Sequence, residues 1–114
     1  MGGNVIHITS KADWDNRLAT AKSEGKVCVV DFYAQWCGPC KMIAPHYEAL
    51  SAEYPNAYFL KVDVDAVPAV AEVCQINSMP TFHVYKDGVK VGECVGASQE
   101  KLKALVAAHA SKAA

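Results

Sequence analysis

Residues 27–33, Val-Cys-Val-Val-Asp-Phe-Tyr, constrain the fold more than any other stretch. Such a run, apolar and mostly β-branched or aromatic, marks a central strand covered on both faces. A strand dry on both faces needs further elements layered above and below its sheet. The run leads within four residues to Cys37-Gly38-Pro39-Cys40, and it carries one carboxylate, Asp31, in its middle.

The rest of the chain supplies the layers. Val5 to Ile8 reads as a short strand. Ser10 followed by Asp13 has capping-box spacing, and Trp14, Leu18 and Ala21 recur at helical intervals as far as Gly25. From Pro39 to Tyr54 the residues Ile43, Tyr47, Leu50 and Tyr54 repeat every three or four positions, a second helix with Pro45 inside it as an expected kink. Tyr58 to Val64 is a third strand, and Pro68 to Cys74 a short helix opened by proline. Thr81 to Lys86 and Val89 to Val95 flank Asp87-Gly88, a strong hairpin signal. Ser98 then caps a last helix with Leu102, Leu105, Val106 and His109 on one face. The order β-α-β-α-β-α-β-β-α predicts an α/β fold. Its five-stranded sheet is mixed, parallel at the start and antiparallel at the end, with helices on both faces. Residues 1–114 are expected to form a single domain.

Charge narrows the partners. Eleven basic against twelve acidic residues leave a formal charge of −1, so no basic field attracts nucleic acid or an anionic membrane surface. No apolar run approaches the length of a membrane span. Met1 to Ile8 lacks the pattern of a secretory signal, and Met1-Gly2 fails as an acylation site because Ile6 stands where serine or threonine is needed. Cys28, Cys37, Cys40, Cys74 and Cys94 are odd in number and irregularly spaced, a poor disulfide framework. A reducing, cytoplasmic setting with one working pair fits them better.

The chemistry sits at that pair. Cys37 opens a helix, with Pro39 in the first turn, where a missing N–H costs nothing. Residues three apart on a helix face the same way, so the two sulfurs can close a small disulfide ring and reopen it. A thiol at a helix N-terminus meets unpaired N–H groups and the positive end of the dipole, so Cys37 is expected to have a depressed pKa and act as nucleophile. Cys40, one turn inward, is expected to be more buried and to stay protonated. Cys37 would attack a substrate disulfide, and Cys40 would then attack Cys37 and release the reduced substrate. Strand alternation puts Val27, Val29, Asp31 and Tyr33 on one face and Cys28, Val30 and Phe32 on the other. A carboxylate in such company has its pKa raised by desolvation, which suits Asp31 to accept the Cys40 proton. Lys61, the one charge among Phe59, Leu60 and Val62, is the candidate to modulate it.

Trp36-Cys37-Gly38-Pro39-Cys40-Lys41, preceded by Asp31-Phe32-Tyr33-Ala34, resembles the active-site segment of the thioredoxin family. Lys61-Val62-Asp63-Val64-Asp65, Met79-Pro80-Thr81-Phe82, Asp87-Gly88 and Val95-Gly96-Ala97 stand in the family's order, so the resemblance covers almost the whole chain. It implies the thioredoxin fold, reduction of protein disulfides with no bound cofactor, and recycling by an NADPH-dependent flavoprotein reductase. It also implies a cis peptide before Pro80, with the Met79 backbone offered to an extended substrate as to an added strand. Trp36, Gly38, Pro39, Val64, Met79, Pro80, Gly96 and Ala97 match the family's substrate-binding surface. Tyr33 stands where tryptophan is frequent, and Gln35 where several residue types occur.

Three further readings stay open. Zinc would need a second ligand pair, and none follows Cys37 and Cys40. A disulfide-forming oxidant would differ in reduction potential, and a scaffold would act without turnover. The chain is expected to be a monomer, with Cys74, near a helix end, as the residue through which a disulfide dimer would form. Cys28 reads as inert packing, Cys94 as an edge-strand thiol and Trp14 as core. The four histidines share no ligand spacing.

Overall fold

The computed structural model describes residues 3–112; Met1 and Gly2, where the acylation reading falls, lie outside the described residues. In chain order the elements are β1 (Val5–His7), α1 (Lys11–Glu24), β2 (Cys28–Tyr33), α2 (Gly38–Glu53) and β3 (Tyr58–Asp63). There follow α3 (Pro68–Val73), β4 (Thr81–Lys86), β5 (Val89–Val95) and α4 (Gln99–His109). The sheet order is β1-β3-β2-β4-β5, which puts β2 at the centre. It runs parallel to β3 and antiparallel to β4, so Asp31 pairs with Lys61 on one side and Phe82 on the other.

Local signals account for most boundaries. The Ser10 side chain accepts from Asp13 N at 3.0 Å, and Gly25 ends α1 in the left-handed region at φ 68°. The reciprocal half of the predicted capping box falls one residue out: Asp13 accepts from the backbone N and hydroxyl of Thr9, not from Ser10. Asp87 and Gly88 both take positive φ, as a two-residue hairpin turn matching the strand twist demands. α2 runs on through Pro45, which leaves the Lys41 carbonyl without its usual helical donor.

Strand alternation divides the interior in two. Cys28, Val30, Phe32, Leu60 and Val62 face Trp14 of α1 and Val70 of α3. Val29, Phe59, Phe82 and Val84 face α2 and α4 on the other side. There Leu102 and Val106 are fully buried, each contributing roughly 1.5–3 kcal/mol. Tyr47 joins the layers: its hydroxyl lies 3.0 Å from the Val29 carbonyl and 2.6 Å from that of Leu60, fastening the middle of α2 to β2 and β3.

The α1 side also buries a polar relay that the sequence did not announce. His83 is 3% exposed, its Nδ1 is 3.1 Å from the Tyr85 hydroxyl, and that hydroxyl lies 3.5 Å from Cys74 Sγ. Cys74, the thiol expected to form a disulfide dimer, is thus half-buried against Tyr85, and burial pushes its thiol up. Burial pushes the Cys28 thiol up to about 12, in keeping with a packing role, and raises Cys94 too. His83 is displaced the other way, down to about 4, by burial and then by the charge of Lys90. The unfolded chain therefore takes up this proton first, and stability is lost as pH falls from about 6.5 to about 4. His83→Phe is expected to remove about 2 kcal/mol of that loss. Denaturant midpoints at pH 7 and pH 4 measure it; an unchanged difference between them contradicts the assignment.

Candidate active site

β2 emerges from the sheet at Tyr33, and a turn closed by Cys37 N donating to the Ala34 carbonyl at 3.2 Å delivers the chain to α2. Cys37 is the N-cap of α2, with extended φ and ψ of −87° and 107°, and Gly38 and Pro39 form the first turn. Cys40 N donates to Cys37 Sγ at 3.1 Å, so the sulfur accepts one of the orphan donors of the helix end. That contact and the helix dipole both favour a negatively charged sulfur when the pair is open. Here Cys37 and Cys40 are joined as a disulfide with Cα atoms 5.3 Å apart, well inside the range such a bond tolerates.

The expected difference in burial is absent: Cys37 is 4% and Cys40 3% exposed. Direction distinguishes them instead. Cys37 Sγ lies 3.8 Å from the Met79 carbonyl, toward the Met79-Pro80 turn. Cys40, and not Cys37, borders a cavity of about 260 Å³ shared with His7, Tyr33, Lys41 and Lys61. One turn of helix rotates the second sulfur to another side of the same rim without burying it further.

Asp31 is fully buried on the α2 side of the sheet, and neither carboxylate oxygen has a hydrogen-bond partner. Desolvation pushes its carboxyl up to about 7, with Lys61 pulling modestly the other way. Lys61 lies across from it in register. Its ammonium nevertheless sits 4.6 Å from the centre of the Tyr33 ring, so it neither snorkels freely nor closes on Asp31.

Several of the remaining predicted positions lie beside the dithiol. The Met79–Pro80 peptide is cis, as the resemblance implied, and Gly96 N donates to the Pro80 carbonyl at 2.9 Å with φ 103°. Val64 and Met79 pack on Ala34, Cys37 and Cys40, while Trp36, Gly38, Pro39 and Ala97 are exposed. Two supports went unread in the sequence. Trp36 Nε1 donates to Asp65 at 2.9 Å and Gln35 Nε2 to Asp63 at 3.3 Å, tying the turn before Cys37 to the loop after β3. Asp63 also accepts from Asp65 N and Ala66 N. The acidic pair flanking Val64 was the available signal. Among the described residues no group of three or more His, Cys, Asp or Glu side chains could hold a metal ion.

A family model described as Thioredoxin matches residues 5–108. The chain belongs to the thioredoxin family. It is 67% identical over 112 residues to a thioredoxin H-type of Chlamydomonas reinhardtii, covering 97% of this chain and 99% of that one. Human thioredoxin is 49% identical over 102 residues, 90% and 95% of the two chains. The crystal structure of thioredoxin NaTrxh from Nicotiana alata matches with a TM-score of 0.92 at 38% identity, over 97% of this chain and 96% of that one. A poplar thioredoxin h structure matches at 0.89 and 42% identity, over 93% and 96%.

Family membership and the geometry converge on the same chemistry. The chain is a thiol-disulfide oxidoreductase of the protein-disulfide reductase type, and Cys37-Gly38-Pro39-Cys40 is its redox-active pair. Cys37 attacks the substrate disulfide from the helix N-terminus, and Cys40 resolves the mixed disulfide.

Proposed function

We propose that this family member is an electron carrier of the cytoplasm that reduces disulfide-containing proteins and is itself recharged by an NADPH-dependent flavoprotein reductase. The observation that carries this reading is the pair Cys37 and Cys40 at the N-terminus of α2 with an unpartnered carboxylate, Asp31, buried on the same side of the sheet. In the cycle, the Cys37 thiolate bonds to one substrate sulfur while the other leaves as a thiolate. Cys40 then gives its proton to Asp31 and attacks Cys37 Sγ. The first substrate sulfur departs, and the protein is left oxidised by two electrons. Lys61 adjusts the proton affinity of Asp31 from across the strand pair.

Substrate is received on Trp36, Gly38, Pro39, Val64, Met79, Pro80, Gly96 and Ala97. Support comes from the exposure of the first three and Ala97, and from the cis turn that brings the Met79 carbonyl beside Cys37. An extended peptide can pair with that backbone as an added strand. The H-type relatives support a cytosolic setting. No helix among the described residues is long and apolar enough to cross a membrane. We take residues 1–114 to work as one domain and a monomer, since the half-buried Cys74 disfavours a disulfide dimer through that thiol.

Turnover of insulin disulfides with NADPH and a thioredoxin reductase tests the whole reading. Wild type is expected to consume NADPH catalytically and the Cys37→Ser/Cys40→Ser double variant not at all. A biological role that survives in the double variant would establish a scaffold in place of a reductase, and a strongly oxidising reduction potential would establish a disulfide donor.

A further inference from the structure

Beside Cys40, the contact between the Lys61 ammonium and the Tyr33 ring has no part in the reaction sequence above. Asp31 and Lys61 are register partners on adjacent strands, both on the α2 side, yet neither Asp31 oxygen has a hydrogen-bond partner. The Lys61 ammonium is instead 4.6 Å from the centre of the Tyr33 ring, and Lys61, Tyr33 and Cys40 line the same cavity. An aromatic face attracts a cation through its quadrupole, and more strongly where water is scarce. Tyr33, half-buried two residues beyond Asp31 on the same strand face, offers such a surface.

We propose that Tyr33 is a positioning residue for the resolving step: its ring face holds the Lys61 ammonium over the Cys40 cavity and keeps that cation from pairing with Asp31. The proposal deepens the reading of Asp31 as proton acceptor. A lysine in direct contact would hold the carboxylate ionised and lower its affinity for the Cys40 proton. Held on the ring, the same lysine leaves Asp31 a competent base and lends positive charge to the cavity in which the Cys40 thiolate forms. Few other groups bear on Asp31. β2 contributes Tyr33 itself and β3 contributes Lys61. From α2 come Cys40, Lys41, a second cation on the wall of the cavity, and Tyr47, whose hydroxyl is engaged with the Val29 and Leu60 carbonyls. β1 adds His7 at the far side of the cavity, and β4 places uncharged Phe82 opposite.

The test follows the Asp31 carboxyl by carbon-13 NMR through a pH titration of the reduced protein. Tyr33→Phe retains the ring face and is expected to leave the midpoint in place. Tyr33→Leu keeps apolar bulk without the face, and its midpoint is expected to fall by about one pH unit as Lys61 closes on Asp31. In a Lys61→Met background the same Tyr33→Leu change is expected to have no further effect. A midpoint unmoved by Tyr33→Leu, or a fall that persists without Lys61, overturns the proposal. Wild type alone offers a second reading: the Lys61 side-chain protons nearest the ammonium are expected to resonate upfield through the ring current of Tyr33, and ordinary shifts there also overturn it. The rate of mixed-disulfide resolution against pH is measured in parallel. If the midpoint moves as expected while that profile stays put, the positioning by Tyr33 stands and the proton-acceptor role of Asp31 falls.

Discussion

Cys40→Ser is expected to stop the chain after its first exchange, accumulating a covalent Cys37 adduct with each disulfide substrate, while Cys37→Ser abolishes reduction without forming any adduct. The serine hydroxyl is not a thiolate at neutral pH, and only the sulfur at the head of α2 accepts a backbone N–H as an anion would. Loss of turnover should be at least about a thousandfold for either variant, because the two thiols act as a unit. The variants separate in what they hold: intact-mass spectrometry is expected to find substrate attached to Cys40→Ser and nothing attached to Cys37→Ser. Adduct on Cys37→Ser in place of Cys40→Ser would reverse the assignment of attacking and resolving sulfur, and adduct on neither would contradict the mixed-disulfide route. Since both side chains are almost equally buried, this experiment reads direction and helix position, not exposure.

Asp31→Asn carries the other large effect, and it has two parts of opposite value to the protein. Burial raises the carboxyl from an ordinary 3.8 to about 7, so the native state holds its proton where the unfolded chain has released it. Stability therefore falls as pH rises from about 4 to about 7, and the loss is complete above that. At about 1.4 kcal/mol for each pH unit, the ionised residue costs roughly 4 kcal/mol. Asparagine does not ionise, so the variant should be more stable than wild type by a few kcal/mol at pH 8 and similar to it at pH 4, as read from denaturant midpoints. The same variant should slow resolution of a trapped adduct about tenfold or more, yet hardly slow its formation. Equal slowing of both steps counts against the acceptor role, and equal stabilities at pH 8 would mean the carboxyl is not strained by its surroundings. A group that weakens the fold and speeds one step is the pattern of a functional residue.

Much of this arrangement is legible in the chain itself because the signals are local. Ser10, Gly25, Asp87-Gly88 and Ser98 each mark a boundary within a residue of where it falls, since caps and tight turns depend on a few neighbouring backbone groups. Asp31 could be placed on one dry strand face with Val27, Val29 and Tyr33 because strand alternation has a period of two and the residues around it are apolar; that this face is the one against α2 emerged only from the fold. What was not legible depends on distant partners. The position of β1 at the sheet edge beside β3 leaves no trace in either segment. The register shift opposite Val84 and Tyr85, which leaves Val91 unpaired in β5, likewise has no signal in the residues themselves. His83 looked like one of four scattered histidines; only the fold brings it to Tyr85, Phe32 and Glu93. The burial of the two cysteines was misjudged because a helix turn changes direction as well as depth. The cis bond at Pro80 came from family resemblance, and no local rule would have preferred it.

The anchoring of Tyr47 bears on how the oxidised and reduced forms of this molecule differ. A side chain that clamps the midpoint of α2 to two adjacent strands resists any sliding of the rod that bears both sulfurs. A clamp of that kind favours a redox change carried by side-chain torsions at Cys37 and Cys40 over one carried by movement of α2. On the cycle proposed above, a client is then let go by exchange of its bond rather than by a change in the surface beneath it.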